Sequence, residues 1–280
     1  MAVKSDYDRE SVDCCLSHLI ELFTILGEFR GHLVVVGGWV PYFLCNNPDE
    51  EHTGSMDIDL ALEFDAITED TYQTILATLN RHGFVQGKQP FIYVKQAVTE
   101  TGMPFTVEVD LLAGEYGGTA RVHRHQRAQD VQARKARGVD LVFQDPVLKL
   151  VRGQLPDGAV NEVTVRIAGV VPFIVMKGMS IWARKEQKDA YDIYYIISHY
   201  PSGLDGLVKA FEPHKHHGLV KEGLGKIKNK FGGPENIGPV WVAEFMEIED
   251  AEEIARVRRD AYEKVSYLLD QLEISEYKGE

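Results

Sequence analysis

The sequence predicts an α/β fold of the α+β type, in which a mixed β-sheet flanked by helices is followed by a mainly helical C-terminal region. Two observations predict this architecture. Short β-branched runs alternate with apolar stripes at helical spacing in the first part of the chain, and helical spacing dominates from Phe173 onward. A length of 280 residues suits one large domain or two ordinary ones. We therefore expect a core domain over residues 1–170 and a mainly helical domain over residues 171–280.

Apolar spacing assigns the elements of the first domain. Residues 10–29 carry apolar side chains at helical spacing, which predicts an amphipathic helix. The β-branched run His32–Val36 predicts a strand that ends at Gly37-Gly38. The same reasoning gives the remaining elements in order: a helix start at 39–45, a strand over 56–64, a helix over 68–82, a strand pair within 84–99, and strands over 105–112, 139–143 and 160–171.

Two segments of the C-terminal region have distinct patterns. Residues 251–272 repeat apolar side chains along one helical stripe, which predicts a long closing helix. Residues 212–240 are rich in Gly, Lys and His, which predicts a loop or an irregular insertion.

Composition and charge limit the classes of function. The formal net charge of −13 argues against a protein that coats nucleic acid non-specifically, although a local basic groove is compatible with it. Cys14, Cys15 and Cys45 are too few for a disulfide framework and fit a reducing compartment. No stretch approaches the roughly 20 apolar residues of a membrane span. We expect a cytoplasmic protein without a membrane segment.

The segment Asp57-Ile58-Asp59 is the most informative one for function. Residues i and i+2 of a strand point to the same face, so the two carboxylates lie side by side. Carboxylate oxygens suit a hard divalent cation such as Mg²⁺, which leaves coordination positions for substrate phosphates. The earlier pair Gly37-Gly38 can bring backbone N–H groups close to a phosphate. Together these features predict nucleotide chemistry.

A third carboxylate would complete a two-metal site for phosphoryl transfer. The alternating run Phe105–Leu112 places Thr106, Glu108 and Asp110 on its polar face. Asp110 fits by position if its strand pairs with the Asp57–Asp59 strand. Glu108, on the same face, is the substitute if Asp110 is only an exposed strand residue.

This order of strand, glycine pair, helix, Asp-x-Asp and later Asp resembles the nucleotidyltransferase superfamily of DNA polymerase beta type. The commonest pattern of that superfamily has Gly-Ser where this chain has Gly37-Gly38, and the gap to Asp57 is longer here. Both departures are usual in the AbiEii-type nucleotidyltransferases, which include toxins of bacterial toxin–antitoxin systems.

A second block supports that branch of the superfamily. The segment MKGMSIWARKEQKDAYDIYYII resembles a helix pattern of AbiEii-like proteins through Lys177, Arg184, Lys188, Asp189 and Asp192. The three cations are separated by seven and four residues, so one helix would present them on one face. The alternative is that the two aspartates are only helix-surface partners of Arg184 and Lys188.

The resemblance implies a reaction and a role for each matching residue. The enzyme would use two Mg²⁺ ions, transfer a nucleoside monophosphate from a nucleoside triphosphate to an acceptor hydroxyl, and release pyrophosphate. The implied metal ligands are Asp57, Asp59 and Asp110, which are catalytic together with Lys177. The implied nucleotide-binding residues are Gly37, Gly38, Ser55, Lys177, Arg184, Lys188 and Asp189.

The acceptor is suggested by two basic clusters and by the same resemblance. The clusters comprise Arg121, Arg124, Arg127, Arg134, Lys135 and Arg137, and then Lys215, Lys221, Lys226, Lys228 and Lys230. Such clusters either contact RNA or form a solvated face. The resemblance implies a tRNA acceptor and an antitoxin partner. A small-molecule acceptor such as an aminoglycoside, and a catalytically silent nucleotide-binding protein, are the alternatives.

Overall fold

The computed structural model describes residues 2–45, 47, 50–64, 66–114 and 134–279, and the chain divides into two compact units. The sheet unit comprises Asp8–Trp39 and Gly54–Gly169. The helical unit comprises Met1–Tyr7, Val40–Thr53 and Val170–Glu280. The helical unit thus begins its longest segment at Val170 and also includes two segments from the N-terminal part of the chain.

The sheet unit is built on a mixed sheet, as the sequence predicts, and the described residues contribute eight strands to it. Its strands are β1 (Leu33–Val36), β2 (Asp57–Leu62), β3 (Val85–Gln86), β4 (Ile92–Val98), β5 (Pro104–Gly114), β6 (Arg134–Ala136), β7 (Val147–Gln154) and β8 (Val160–Ile167). The order along the sheet is β3-β4-β5-β2-β1-β8-β7, and β6 pairs with β5 outside this path. The central strand β1 is buried along its whole length, as expected for its side chains, which are one leucine and three valines.

Three helices accompany these strands along the chain: α1 (Arg9–Ile25), α2 (Trp39–Leu44) and α3 (Glu69–Arg81). The first turn of α1 is capped by Asp8, whose side chain accepts a hydrogen bond from the Ser11 amide. Thr68 caps α3 in the same way, through the Thr71 amide. The expected helices over residues 10–29 and 68–82 are confirmed as α1 and α3.

One expected strand of the sheet unit is wrong, and another is confirmed but shorter than expected. Residues 139–143 form a 3₁₀ helix, and the strand that pairs with β8 is β7, which the sequence reading omitted. The predicted strand over 160–171 ends at Ile167, and a helix begins at Val170. Short apolar runs do not distinguish a strand from a buried helical turn, which explains these errors.

In the described residues of the helical unit, six α-helices follow Gly169. They are α4 (Val170–Ala183), α5 (Gln187–His199), α6 (Gly203–Phe211), α7 (Gly218–Lys230), α8 (Ile237–Phe245) and α9 (Ala251–Gln271). The predicted closing helix is confirmed as α9, and Asp250 caps it by accepting from the Glu253 amide. In the described part of the chain, no helix combines the length and apolar character needed to cross a membrane.

The expected loop over 212–240 is wrong, because this segment contains α7 and the start of α8. The glycines that suggested a loop allow two helices to approach closely instead. A Cβ at Gly178 of α4 would lie 2.3 Å from the backbone oxygen of Gly223 in α7. Since only glycine leaves space for that approach, α7 tolerates Gly223 in spite of its low helix propensity.

The block that begins at Lys177 is also not one helix. Helix α4 ends at Ala183 and α5 begins at Gln187, so Lys177 and Lys188 lie on different helices. No glycine or proline marks the break. The interruption instead accompanies ion pairs between the two helices, described below.

Candidate active site

Four acidic side chains lie on neighbouring strands of the sheet unit. Strands β2 and β5 run parallel in a register that pairs Asp57 with Glu108 and Asp59 with Asp110. Residues in register on neighbouring strands present their side chains on the same face of the sheet. The expected pairing of these strands is therefore confirmed, and the pairs Asp57–Glu108 and Asp59–Asp110 form what we term the acidic strand pair.

Gly37 is fitted closely to this acidic pair. Strand β1 runs antiparallel to β2 and pairs Val36 with Asp59, which brings the following turn beside the Asp59 carboxylate. Gly37 has φ +69°, in the left-handed region that favours glycine. A Cβ added there would lie 2.0 Å from Oδ2 of Asp59, so no other residue fits without displacing the carboxylate. Gly38, the next residue, is buried.

Asp57 is held from two directions. Ser55 Oγ donates a hydrogen bond to its Oδ1 at 2.5 Å, and the indole nitrogen of Trp39 donates to its backbone oxygen at 2.8 Å. Ser55 was expected to contact a phosphate. In this structure its hydroxyl orients the Asp57 carboxylate, which is exposed at the start of β2.

The crowding of these carboxylates changes the pKa of Glu108. Burial raises the pKa of its carboxyl, and the neighbouring negative charge of Asp57 raises it further. A protonated Glu108 would relieve repulsion within the acidic strand pair, and so would a bound cation. The local charge balance therefore favours binding of positive charge next to Asp57.

The donor set fits Mg²⁺ in chemistry and only in part in geometry. Carboxylates are the ligands that Mg²⁺ prefers, and it is commonly held by one or two of them together with substrate phosphates. Within the described residues, however, no group of three or more His, Cys, Asp or Glu side chains converges on one metal position. The neighbouring carboxylates thus suit a cation that arrives with its nucleotide more than a preformed three-carboxylate metal centre.

The cations predicted to bind the triphosphate lie in the helical unit, where acids hold them. Lys177 Nζ lies 2.9 Å from Asp189 Oδ1 and 2.7 Å from Asp192 Oδ2. Burial lowers the pKa of the Lys177 ammonium, but its attraction to the two carboxylates outweighs burial, so that its pKa is raised overall. Lys177 is therefore a buried, charged residue with two anionic partners.

Arg184 and Lys188 complete this buried cluster of charges. Arg184 donates from Nε and Nη2 to the two oxygens of Asp189, at 2.8 and 3.0 Å, while half of its side chain remains exposed. Lys188 Nζ lies 3.0 Å from Asp192 Oδ1. Both aspartates are fully buried. We call this group of side chains the ion-pair cluster. Its members are Lys177, Arg184, Lys188, Asp189, Asp192 and His52, and His52 is described next.

Sequence reasoning missed His52, which is a buried member of this cluster. Its Nε2 lies 2.9 Å from Asp192 Oδ1, and its ring stacks on Tyr191 with centroids 5.5 Å apart. Tyr195 adds an edge contact to the same imidazole and donates its hydroxyl to the backbone oxygen of Glu50. No spacing rule connects residues 140 positions apart, so only the folded chain identifies this pair.

The two basic clusters differ in what the structure describes. Arg121, Arg124 and Arg127 lie outside the described residues. In the second cluster, Lys215, Lys226 and Lys228 pair with Glu212, Glu222 and Asp270, respectively. Lys221 is exposed, and Lys230 lies over the ring of Trp182. Much of the expected RNA-binding charge in this segment is thus neutralised by neighbouring acids.

No family model matches the chain, and searches among curated proteins and among solved structures found no significant match. The resemblance to AbiEii-type nucleotidyltransferases therefore stays a prediction from the residues named above.

Replacing Gly37 with alanine should destabilise the sheet unit more than replacing Gly102. Both glycines have positive φ, which costs an alanine about 1–2 kcal/mol, but only the Gly37 Cβ would meet a side chain within 4 Å. Urea unfolding of the two variants measures the difference. Equal losses of unfolding free energy would show that Asp59 does not constrain Gly37.

Replacing Lys177 with methionine should cost about 3–5 kcal/mol of unfolding free energy, because it leaves buried carboxylates without one of their partners. Arg184→Met removes a half-exposed partner of the same Asp189 and should cost roughly 1 kcal/mol. Denaturant titration of both variants checks the order. Similar, small losses would show that the buried pairs contribute little.

The stability of the chain should fall as the pH drops from about 6.5 to about 4, partly through His52. Burial lowers the pKa of this imidazole to about 4, while the hydrogen bond to Asp192 opposes that shift. The unfolded chain then binds a proton that the folded chain does not, so acid favours unfolding by up to about 3 kcal/mol. His52→Gln keeps an N–H donor but cannot titrate. Its unfolding free energy, measured against pH, should fall less steeply in this window. Parallel curves for the two proteins would contradict the assignment.

Proposed function

We propose that this protein is a Mg²⁺-dependent nucleotidyltransferase, which transfers a nucleoside monophosphate from a nucleoside triphosphate to an acceptor hydroxyl. The register of β2 with β5 carries the proposal, because it sets Asp59 beside Asp110, two residues after Asp57. The tight fit of Gly37 against Asp59 supports it, since a backbone turn without a side chain can admit a phosphate.

The reaction balances as one substitution at phosphorus. The acceptor oxygen forms a bond to the α-phosphorus, and the bond from that phosphorus to the bridging oxygen of the β-phosphate breaks. Pyrophosphate leaves, and the hydroxyl proton passes to a carboxylate, a role that we assign to Asp110. Bound Mg²⁺, for which Asp57, Asp59 and Asp110 are the assigned ligands, would neutralise charge on the phosphates.

The cations of the ion-pair cluster receive different roles in this proposal. Arg184 keeps half of its side chain exposed while it is bound to Asp189, so it can contact an anion through its outer edge. Lys177 is buried between two carboxylates, and we assign it a positioning role. Lys188, which is nearly buried against Asp192, would add positive potential more than a direct phosphate contact.

Two acceptors are consistent with this chemistry. An RNA acceptor, and within it a tRNA, follows from the resemblance to toxins of toxin–antitoxin systems, which would also imply an antitoxin partner. A cationic small molecule such as an aminoglycoside is favoured by the net charge of −13. The acids that pair with Lys215, Lys226 and Lys228 also neutralise positive charge that would otherwise attract RNA. The acceptor that takes up label distinguishes these two candidates.

Incubation with Mg²⁺, each of four α-³²P-labelled nucleoside triphosphates and total RNA should place label on RNA of tRNA size. Asp59→Asn and Asp110→Asn should each lower transfer by at least about 100-fold, because charge stabilisation dominates phosphoryl transfer. Gel electrophoresis of the RNA and chromatography of small acceptors measure the product.

Asp145→Asn serves as the matched control, since this aspartate is exposed and lies on neither β2 nor β5. Thermal unfolding of each variant confirms that it folds. Full transfer by Asp59→Asn would refute the proposed site. Tight nucleotide binding by the wild-type protein without transfer to any acceptor would favour a silent nucleotide-binding protein.

A further inference from the structure

We propose that Trp182 and Lys230 form a stacking site for an unpaired base of single-stranded RNA. The proposal rests on the proposed function in one respect, namely that this RNA is the acceptor of the nucleotide. The binding itself can be measured without turnover. Both residues lie in the helical unit, Trp182 at the end of α4 and Lys230 at the end of α7.

Trp182 is unusual among the tryptophans because it faces solvent. Its relative exposure is 42%, whereas Trp39 and Trp241 are exposed by 0% and 6%. An exposed indole presents a flat apolar surface on which any nucleobase can stack.

One cation lies over the indole, and others are close to it in the chain. Lys230 Nζ lies 5.3 Å from the centroid of the Trp182 ring, and no ion-pair partner of Lys230 occurs among the described residues. Lys185, three residues after Trp182 in the chain, and Lys278, which follows Tyr277, are exposed cations. The acids nearest to them in the chain are Glu186 and Glu276. Together with Lys230, these residues carry three positive and two negative formal charges, in contrast to the net charge of −13 of the whole chain.

Contacts with Tyr277 support the Trp182 indole. The ring of Tyr277 meets Trp182 edge-on with centroids 5.5 Å apart, and Lys226 lies 4.8 Å over the Tyr277 ring. Asn229 fixes Tyr277 by bonding to both its backbone N–H and its backbone oxygen, each at 2.9 Å. A Cβ at Gly225 would lie 3.0 Å from Ser275, so this glycine permits the C-terminal segment to lie on α7.

This combination favours nucleic acid over a protein partner. A protein interface would be expected to offer a contiguous apolar patch, whereas here a single exposed ring carries a lysine ammonium. Stacking of a base on an aromatic ring is stronger than a solvent-exposed cation–π contact. A base can therefore replace Lys230 on the indole, and the released ammonium can pair with the adjacent phosphate.

The three tryptophans make the test specific, because Trp182 is the exposed one. The wild-type protein is titrated at low salt with a single-stranded RNA of roughly 12 nucleotides. Tryptophan fluorescence is measured, and affinity is measured separately by anisotropy of labelled RNA. We expect quenching of the indole emission, and we expect Trp182→Ala, which removes the stacking ring, to lose the quenching and about tenfold in affinity.

Lys230→Ala and Lys221→Ala form a matched pair on helix α7. They remove the same charge from positions nine residues apart, which face opposite sides of the helix. Lys230→Ala should weaken binding several-fold and lower the salt slope by about 1, while Lys221→Ala should leave both unchanged.

The proposal is overturned by unchanged affinity of Trp182→Ala, by equal losses in the two lysine variants, or by equal binding of a duplex of the same length. Quenching by free nucleoside triphosphate but not by RNA would also overturn it. If the wild-type protein transfers no nucleotide but its emission is quenched by RNA, the proposed function is refuted and this binding site remains supported.

Discussion

The pairing of β2 between β1 and β5 is the constraint from which the candidate chemistry follows. Antiparallel pairing with β1 sets Asp59 beside the Gly37 turn, and parallel pairing with β5 sets the same residue beside Asp110. A shift of one residue in either pairing would turn the carboxylates to the opposite face of the sheet. The buried side chains of Ile58 and Leu60, which alternate with the aspartates, make such a shift costly. Core packing therefore fixes the positions of exposed acids.

The helical unit shows a different way of holding charge. Asp189 and Asp192 lie fully buried on α5, where they remain ionised because Lys177 and its neighbouring cations compensate for lost hydration. Single substitutions in such a cluster are more damaging than its net contribution to stability suggests, because each removal leaves an opposite charge buried. The cluster therefore specifies how α4, α5 and the segment around His52 pack within their unit. Only Arg184, at its edge, retains substantial exposure for binding an anion.

Local patterns predicted much of this architecture, and their failures have physical causes. Periodicity located α1, α3, α9 and the alternating strand β5, since each buries one regular face. Motif spacing selected Asp57, Asp59 and Asp110 before their register was known. Glycines misled the prediction of α7, because Gly223 serves close helix packing there. His52 was not predictable, since its partner Asp192 is distant in sequence and buried imidazoles have no periodic signature.

Exposure separates residues that sequence reasoning treats alike. The basic segment around α7 reads as one cationic surface, yet Lys226 is buried against Glu222 while Lys221 and Lys230 face different sides of the helix. The ability of each lysine to bind an anion therefore depends on its acid or aromatic neighbour more than on how many charged residues lie near it in the sequence. A chain with net charge −13 can still bind a polyanion where a cation lies against an exposed aromatic ring. Trp182 offers that ring, which makes a local contact to RNA compatible with an acidic protein.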